Sequence, residues 1–466
     1  MRYVSTRGAA APRDFDGVLL AGLAEDGGLF MPESWPEFSP AEWRALAGLP
    51  YAELAARVMA PFVTGGAVGF DDLAGMCRRA YAGFDHAAVV PLVQLDSALF
   101  ALELFHGPTL AFKDLALQVA GLLFEHVLAA QDRRVAIVGA TSGDTGSAAI
   151  AACRDRVRID IAILHPDGRT SEVQRRQMTT VLSPNVLNIA VDGNFDDCQD
   201  LVKAMFADTS FRQDVSLTAV NSINWARIAG QIPYFAAAAL ALGAPDRAVA
   251  IAVPTGNFGN VLAAWAAKRM GLPIAKLIVA ANANDILTRF LDANDMSVQG
   301  VVETVAPSMD IQVSSNFERL LFESLHRDAE ATARIMGDFK SSRRMAVPEP
   351  AWLAIRREFA GAAVDDAAAL AEIARLRRDS RYLADPHTAI GVAAARAAAP
   401  IGVPTVVAAT AHPAKFPDAI ERATGTRPAL PAHLADLYDR QERIDHAPAD
   451  LAEIEARVRG FVQRND

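Results

Sequence analysis

The chain has 466 residues, 52% of them apolar and 21% charged, with a formal net charge of −10. That length buries one large core or two to three lobes, and the composition is that of a folded globular protein. The acidic balance argues against nucleic acid as the main partner, because phosphate backbones favour basic surfaces.

Met1 to Arg7 has neither the apolar stretch nor the cleavage pattern of an export signal, so a cytoplasmic location is expected. Cys77, Cys153 and Cys198 are odd in number and widely spaced, without CxxC or Cys/His spacing. Neither a disulfide framework nor a metal site is expected from them. Residues 1–92 read as a mainly helical lobe. Within it Ser39-Pro40 marks a helix cap with proline at the first helical position, and Asp71-Asp72 introduces a further helix.

From Val93 short apolar runs alternate with helical patterns. Strands are expected at Leu99 to Phe105, Arg134 to Gly139, Ile159 to Leu164, Val186 to Val191, Val249 to Val253, Leu277 to Ala281 and Thr405 to Ala409. Helices are expected at Asp114 to Ala130, Val173 to Leu182, Cys198 to Phe206 and Val261 to Met270. Nearly continuous apolar strands between helices predict an α/β fold with parallel sheet covered on both faces. Ligands of such sheets collect at the carboxyl ends of the strands. Ile228 to Pro245 carries no charge, but Gln231, Pro233 and its alanines favour a buried helix over a membrane span. Residues from about 300 to 385 read as a helical insertion whose pairs Arg343-Arg344 and Arg377-Arg378 face solvent. Residues 426–466 read as a helical tail.

The loops at strand ends carry the chemistry. His106-Gly107-Pro108-Thr109-Leu110-Ala111-Phe112-Lys113-Asp114 contains the first of only six lysines, against thirty-nine arginines. An amine beside Leu110, Ala111 and Phe112 is desolvated, which disfavours its ammonium form and frees it to attack a carbonyl. The alternative is a lysine whose stem covers core surface while its head reaches water. Gly139 to Ala149 places three glycines and four hydroxyl residues before a helix expected near Thr145, a cradle for an anion. Val253-Pro254-Thr255-Gly256-Asn257-Phe258-Gly259-Asn260 is a second strand-to-helix loop with close-approach glycines. It is neither a Walker A loop nor a dinucleotide fingerprint. A phosphate site without nucleotide features, beside an activated lysine, points to pyridoxal phosphate. Ser222 and Arg227 of Asn221 to Gln231 are a further anion-binding pair. Thr410 ends an apolar strand at the ligand edge, His412 reads as a hydrogen-bonding loop histidine, and Asp385 to Ala389 reads as a turn.

Taken in order, HGPTLAFKD, GATSGDTGSAA, NSINWARIAGQ, VPTGNFGN, PSMDIQVSSNFERLLFE and ATAHPAKF resemble the threonine synthase family, in its longer branch with an N-terminal lobe. The resemblance covers residues 1 to about 425 and includes the opening MRYVSTRG. It implies the tryptophan synthase β-like fold, PLP fold type II, with two parallel-sheet lobes. The implied divisions are an N-terminal lobe at 1–92, a catalytic core at 93–425 with a smaller lobe at about 130–220, and the tail. Pyridoxal 5′-phosphate is the implied cofactor, with Lys113 as its Schiff-base lysine. Gly256, Asn257, Phe258, Gly259 and Asn260 would hold its phosphate and Thr410 its ring nitrogen. Thr141, Ser142, Gly143, Asp144 and Thr145 would surround the substrate carboxylate and the cofactor's 3′-oxygen. Thr145, Ser222 and Arg227 would take the substrate phosphate, with Asn260 as a further candidate. Asp144 departs from the asparagine usual in the wider fold, so its carboxyl is expected to share a proton or point elsewhere.

The implied reaction converts O-phospho-L-homoserine and water to L-threonine and phosphate, in a monomer or homodimer without metal, membrane or nucleic-acid partners. The alternatives are a phospholyase releasing 2-oxobutyrate, a threonine or serine dehydratase, and a non-catalytic paralogue.

Overall fold

The apolar runs expected as strands assemble into two sheets. In the larger, six strands lie in the order Phe359–Ala363, Ile274–Ala281, Val249–Pro254, Thr405–Ala409, Leu99–Glu103 and Leu92–Gln94. All its pairings are parallel except the last. In the smaller, five parallel strands run in the order Asp445–Pro448, Val186–Asp192, Ile159–Pro166, Val135–Ala140 and Leu217–Thr218. This is a computed structural model, and it describes residues 1–218 and 221–465. The expected boundary of the smaller lobe at 220 lies outside the described residues.

Every residue of Val249–Pro254, Thr405–Ala409 and Ile159–Pro166 is buried, as unbroken apolar strands require when helices cover both faces. The helices Gly259–Arg269 and Pro386–Ala398 pack on the larger sheet. The strand-to-helix loops therefore open at one edge, which is where the polar residues gather.

Residues 1–92 hold four helices and also an antiparallel sheet of three short strands, Arg13–Asp14, Arg2–Ser5 and Phe30–Pro32. Strands of two to four residues are too short to show alternation, so the sequence reading had only the helices. The Ser39 cap forms as expected: Ser39 Oγ accepts from Glu42 N, and Glu42 Oε2 accepts from Ser39 N at 2.7 Å. Tyr3 and Trp35 pack against Trp225, and Trp35 meets Trp265 edge-on at 5.4 Å. The lobe thus braces the two helices, Trp225–Ala229 and Gly259–Arg269, that begin at the candidate site.

Two divisions of the chain are corrected. The span read as a helical insertion contains the strand Phe359–Ala363, which pairs with Leu277 to Ala281 and forms an edge of the main sheet. Its small residues hide it, and at Gly361 the space is tight: a Cβ there would lie 3.0 Å from Thr288 Cγ2. The tail is not only helical, because Asp445–Pro448 pairs with Ile189 to Asp192 and completes the smaller sheet. Asp-His-Ala-Pro lacks an apolar run because an edge strand needs none, and its proline is tolerated there. The uncharged stretch from Ile228 is two short helices, Trp225–Ala229 and Ile232–Ala241, the second with Pro233 in its first turn. Both arginine pairs are exposed as expected.

Candidate active site

Lys113 opens the helix Lys113–Ala130, and the loop before it is tightly held. Asp114 is fully buried and accepts from Thr109 N at 2.8 Å and Thr109 Oγ1 at 2.7 Å, closing the loop on itself. Burial pushes the Asp114 carboxyl up to about 6. Gly107 is required beneath this staple, since a Cβ there would stand 2.6 Å from Asp114 Cβ. Phe112 N donates to Thr410 O at 2.9 Å and His412 N to Leu110 O at 3.0 Å, which ties the lysine to the end of the strand Thr405–Ala409.

Burial lowers the proton affinity of Lys113 Nζ, and the nearby cations Lys415 and Arg227 act in the same direction. Asp144 opposes them from 3.4 Å. The desolvated lysine expected from the sequence is therefore present, but in a charged setting that the sequence reading lacked. Asp144 Oδ1 accepts from Lys415 Nζ at 2.8 Å and from Gln174 Nε2 at 2.8 Å. Its Oδ2 faces Lys113 Nζ and, at 3.3 Å, Ser308 Oγ. Burial pushes this carboxyl up, but Lys415 and Lys113 outweigh it and hold Asp144 well below the usual carboxylate range. The carboxyl that was expected to share a proton or point elsewhere is paired instead with two lysines, Lys415 on Oδ1 and Lys113 on Oδ2.

The loop Val253 to Asn260 leads into the helix Gly259–Arg269, with Phe258 at a φ of 64°. A Cβ on Gly256 would meet Ser308 O at 2.7 Å, so the loop and its neighbour are in backbone contact. Ser314 Oγ donates to Gly256 O at 2.7 Å, and Asn316 Nδ2 donates to Asn257 O at 3.0 Å. Arg319, fully buried, donates to Asn316 Oδ1, Ile223 O and Phe30 O. One guanidinium thus joins the N-terminal lobe, the 221–231 segment and the brace of the loop.

Asn260 and Arg227 carry polar atoms without partners here. Asn260 Nδ2 is buried with no hydrogen bond, its Oδ1 being held by Tyr234 Oη at 2.6 Å. Arg227 is buried, its Nε and Nη1 have no acceptor, and it has no ion-pair partner among the described residues. Burial brings its guanidinium down to about 10. An unpaired buried guanidinium demands an anion.

A cleft open to solvent joins these parts. Lys113, Asp144, Thr145, Ser222, Arg227, Gly256, Asn257, Phe258, Gly259, Asn260 and Thr410 all line it. Thr141, Ser142 and Gly143 do not. The buried Thr141 hydroxyl accepts from Gly143 N and Gly146 N, both at 2.9 Å, and shapes the turn. Gly143, at a φ of 139°, is packed against Gln174. His412 is a loop histidine as read, capping Ala414 N, and burial pushes its imidazole down to about 4.

Sequence reasoning missed Lys415, Ser308 and His387. Lys415 carried a signal, being one of six lysines and lying within ATAHPAKF. His387 opens a helix where a turn was expected, with Nδ1 on Asp385 Oδ1 at 2.8 Å and Nε2 unpartnered beside the cleft.

The residues present fit pyridoxal phosphate. A desolvated amine stands at one wall, and a helix-start loop with an orphaned amide stands at the other. Family models agree. "Threonine synthase N terminus" matches residues 2–81, "Pyridoxal-phosphate dependent enzyme" residues 84–338 and "Threonine synthase, C-terminal" residues 388–458. The chain is 54% identical to the threonine synthase of Pseudomonas aeruginosa over 98% of both sequences. The chain belongs to the threonine synthase family. Among solved structures it is similar to a PLP-bound threonine synthase from Brucella melitensis, with 52% identity and a TM-score of 0.97 over 99% of this chain and 100% of that one. A yeast threonine synthase structure, 35% identical, gives a TM-score of 0.94 over 99% of both chains. The fold is accordingly that of the pyridoxal-phosphate enzymes of fold type II. The threonine synthase N-terminal and C-terminal models cover the helical lobe and the tail that completes the smaller sheet, so the likeness extends beyond the catalytic core. Among the described residues no helix is long and apolar enough to cross a membrane.

Proposed function

We propose that this cleft carries out the threonine synthase reaction, converting O-phospho-L-homoserine and water to L-threonine and phosphate. Pyridoxal phosphate, when bound, supplies an electron sink for negative charge at the substrate's Cα. Lys113 is the residue that links to it, and Gly256 to Asn260 hold its phosphate with backbone amides at a helix start and with Asn260 Nδ2. Thr410 holds the ring nitrogen through a neutral hydroxyl.

Lys113 Nζ, freed when the substrate's amine takes its place, takes protons from Cα and Cβ in turn, returns one to Cγ after phosphate has left, and returns the other to Cα once the hydroxyl of water is on Cβ. Its desolvation suits it to both directions of transfer. Arg227 receives the substrate phosphate, with Thr145 and Ser222 as hydroxyl donors, and keeps it charged as it departs from Cγ. Ser142 and Gly143, at the start of the helix Asp144–Cys153, belong to the carboxylate side of the same reading. Water then adds at Cβ.

The observation that carries this reading is the buried, unpaired guanidinium of Arg227. It supplies an anion demand beyond the loop that serves the cofactor, and a dehydratase substrate has no second phosphate to meet it. The deciding experiment is incubation of the purified protein with O-phospho-L-homoserine and identification of the products by NMR. Threonine and phosphate are expected; 2-oxobutyrate as main product would replace the reading with a phospholyase.

A further inference from the structure

Lys415 is a fully buried cation near the cleft, with a side chain 0% exposed. It reaches the site from the turn after the strand Thr405–Ala409 of the larger sheet. Its Nζ donates to Thr109 O at 2.7 Å and to Asp144 Oδ1 at 2.8 Å. Asp144 belongs to the smaller lobe, at the start of the helix Asp144–Cys153. The pair therefore bridges the two lobes at the reacting amine, and Asp144 Oδ2 stays turned toward Lys113 Nζ. Removal of either charge would leave the other buried without full compensation.

We propose that Lys415 is a positioning residue for the reaction: by holding Asp144 Oδ1 it neutralises that carboxylate and so governs when Lys113 Nζ gives up its proton. The inference rests on Lys113 being the cofactor-linked amine. Alone, Asp144 would retain a proton on Lys113 Nζ; alone, Lys415 would expel it. Together they form a nearly neutral pair, and the amine is left to respond to substrate and cofactor. The other groups acting on this cluster are Arg227, whose charge works with Lys415 on Lys113, and the buried Asp114, which faces Lys415 from the Thr109 loop. Gln174 and Ser308 are neutral and only orient the carboxylate. The Phe112 ring, 5.3 Å from Lys113 Nζ, favours the cation and is common to every variant below.

The test is a charge cycle on the cofactor-loaded protein, with Lys415→Met, Asp144→Asn and both together. The readout is the pH titration of the bound cofactor's visible absorption, which follows the proton on Lys113 Nζ. Lys415→Met should move the midpoint up by about one pH unit or more, because an opposite charge within about 4–6 Å is then unopposed. Asp144→Asn should move it down. The double variant should return close to the unaltered protein and recover much of the kcat that Lys415→Met loses, with KM changed less. Thermal melting of each variant separates this from a fold defect. If Lys415→Met does not fold, Asp144→Asn against the double variant gives the same comparison, since the second substitution should reverse the downward shift. Identical midpoints throughout, or a double variant as displaced as the worse single one, would overturn the proposal. Absence of a visible band in the unaltered protein would instead remove the Lys113 assignment itself.

Discussion

The two walls of the cleft are made in different ways. The wall from Val253 to Asn260 is backbone: glycines, a left-handed Phe258 and a helix start, braced by Ser314, Asn316 and Arg319. The wall around Lys113 is ionisable side chains: two lysines and one carboxylate, brought together from three separate loops. A backbone wall offers a fixed site to an anion that stays, such as a cofactor phosphate. A charged wall can exchange protons, because each group's affinity depends on its neighbours. Holding and reacting are thus assigned to different materials.

The largest effect should come from the charged wall. Lys113→Ala should abolish both turnover and the visible absorption of the lysine-linked cofactor, while leaving a folded protein. A normal visible band in that variant would break the comparison outright.

Arg227 stands between the walls and sharpens the division. Arg227→Ala leaves a bound anion under-compensated, a loss of about 2–5 kcal/mol, or about 30- to several-thousand-fold in kcat/KM. The cofactor spectrum should persist, since in the proposed reading Gly256 to Asn260 hold the other phosphate. Steady-state kinetics beside an absorption spectrum decides: loss of cofactor from a folded protein would move Arg227 to the backbone wall's phosphate.

Gly256→Ala tests the backbone wall. Its Cβ would press on Ser308 O, a fixed atom, and such overpacking costs about 1–3 kcal/mol. Cofactor affinity should fall by about 5- to 150-fold, measured by equilibrium titration, with the titration midpoint of the linked amine unmoved. Tyr234→Phe is the mildest. It frees Asn260 Oδ1 from its 2.6 Å bond and lets the amide rotate, at about 1 kcal/mol or about fivefold in cofactor affinity by the same titration.

The backbone wall was legible in the sequence because its glycines and helix start lie within one loop, whereas its braces Ser314, Asn316 and Arg319 lie elsewhere and were not. The same holds for the lysine loop, where Gly107, Thr109, Asp114 and Lys113 are neighbours along the chain. The strands of both sheets were legible wherever both faces are buried, and not where an edge strand uses small or polar residues, as at Phe359–Ala363 and Asp445–Pro448. The charge of Asp144 was illegible for another reason. Its compensating cation comes from the far lobe, and no local pattern states which lysine will face which carboxylate. The turn-shaping role of Thr141 was illegible because it depends on where Gly143 N and Gly146 N lie, which the sequence does not state.

The strand Asp445–Pro448 has a consequence for biosynthesis. Strands Val135–Ala140, Ile159–Pro166 and Val186–Asp192 leave the ribosome long before their last partner is made, so Val186–Asp192 waits with one row of backbone groups unpaired. The helix Leu451–Asn465 arrives later still, bringing Ile454, Val458, Phe461 and Val462 onto the apolar residues of that sheet. Until then the nascent smaller lobe offers an open edge and uncovered apolar surface, the features on which holding chaperones and neighbouring chains act.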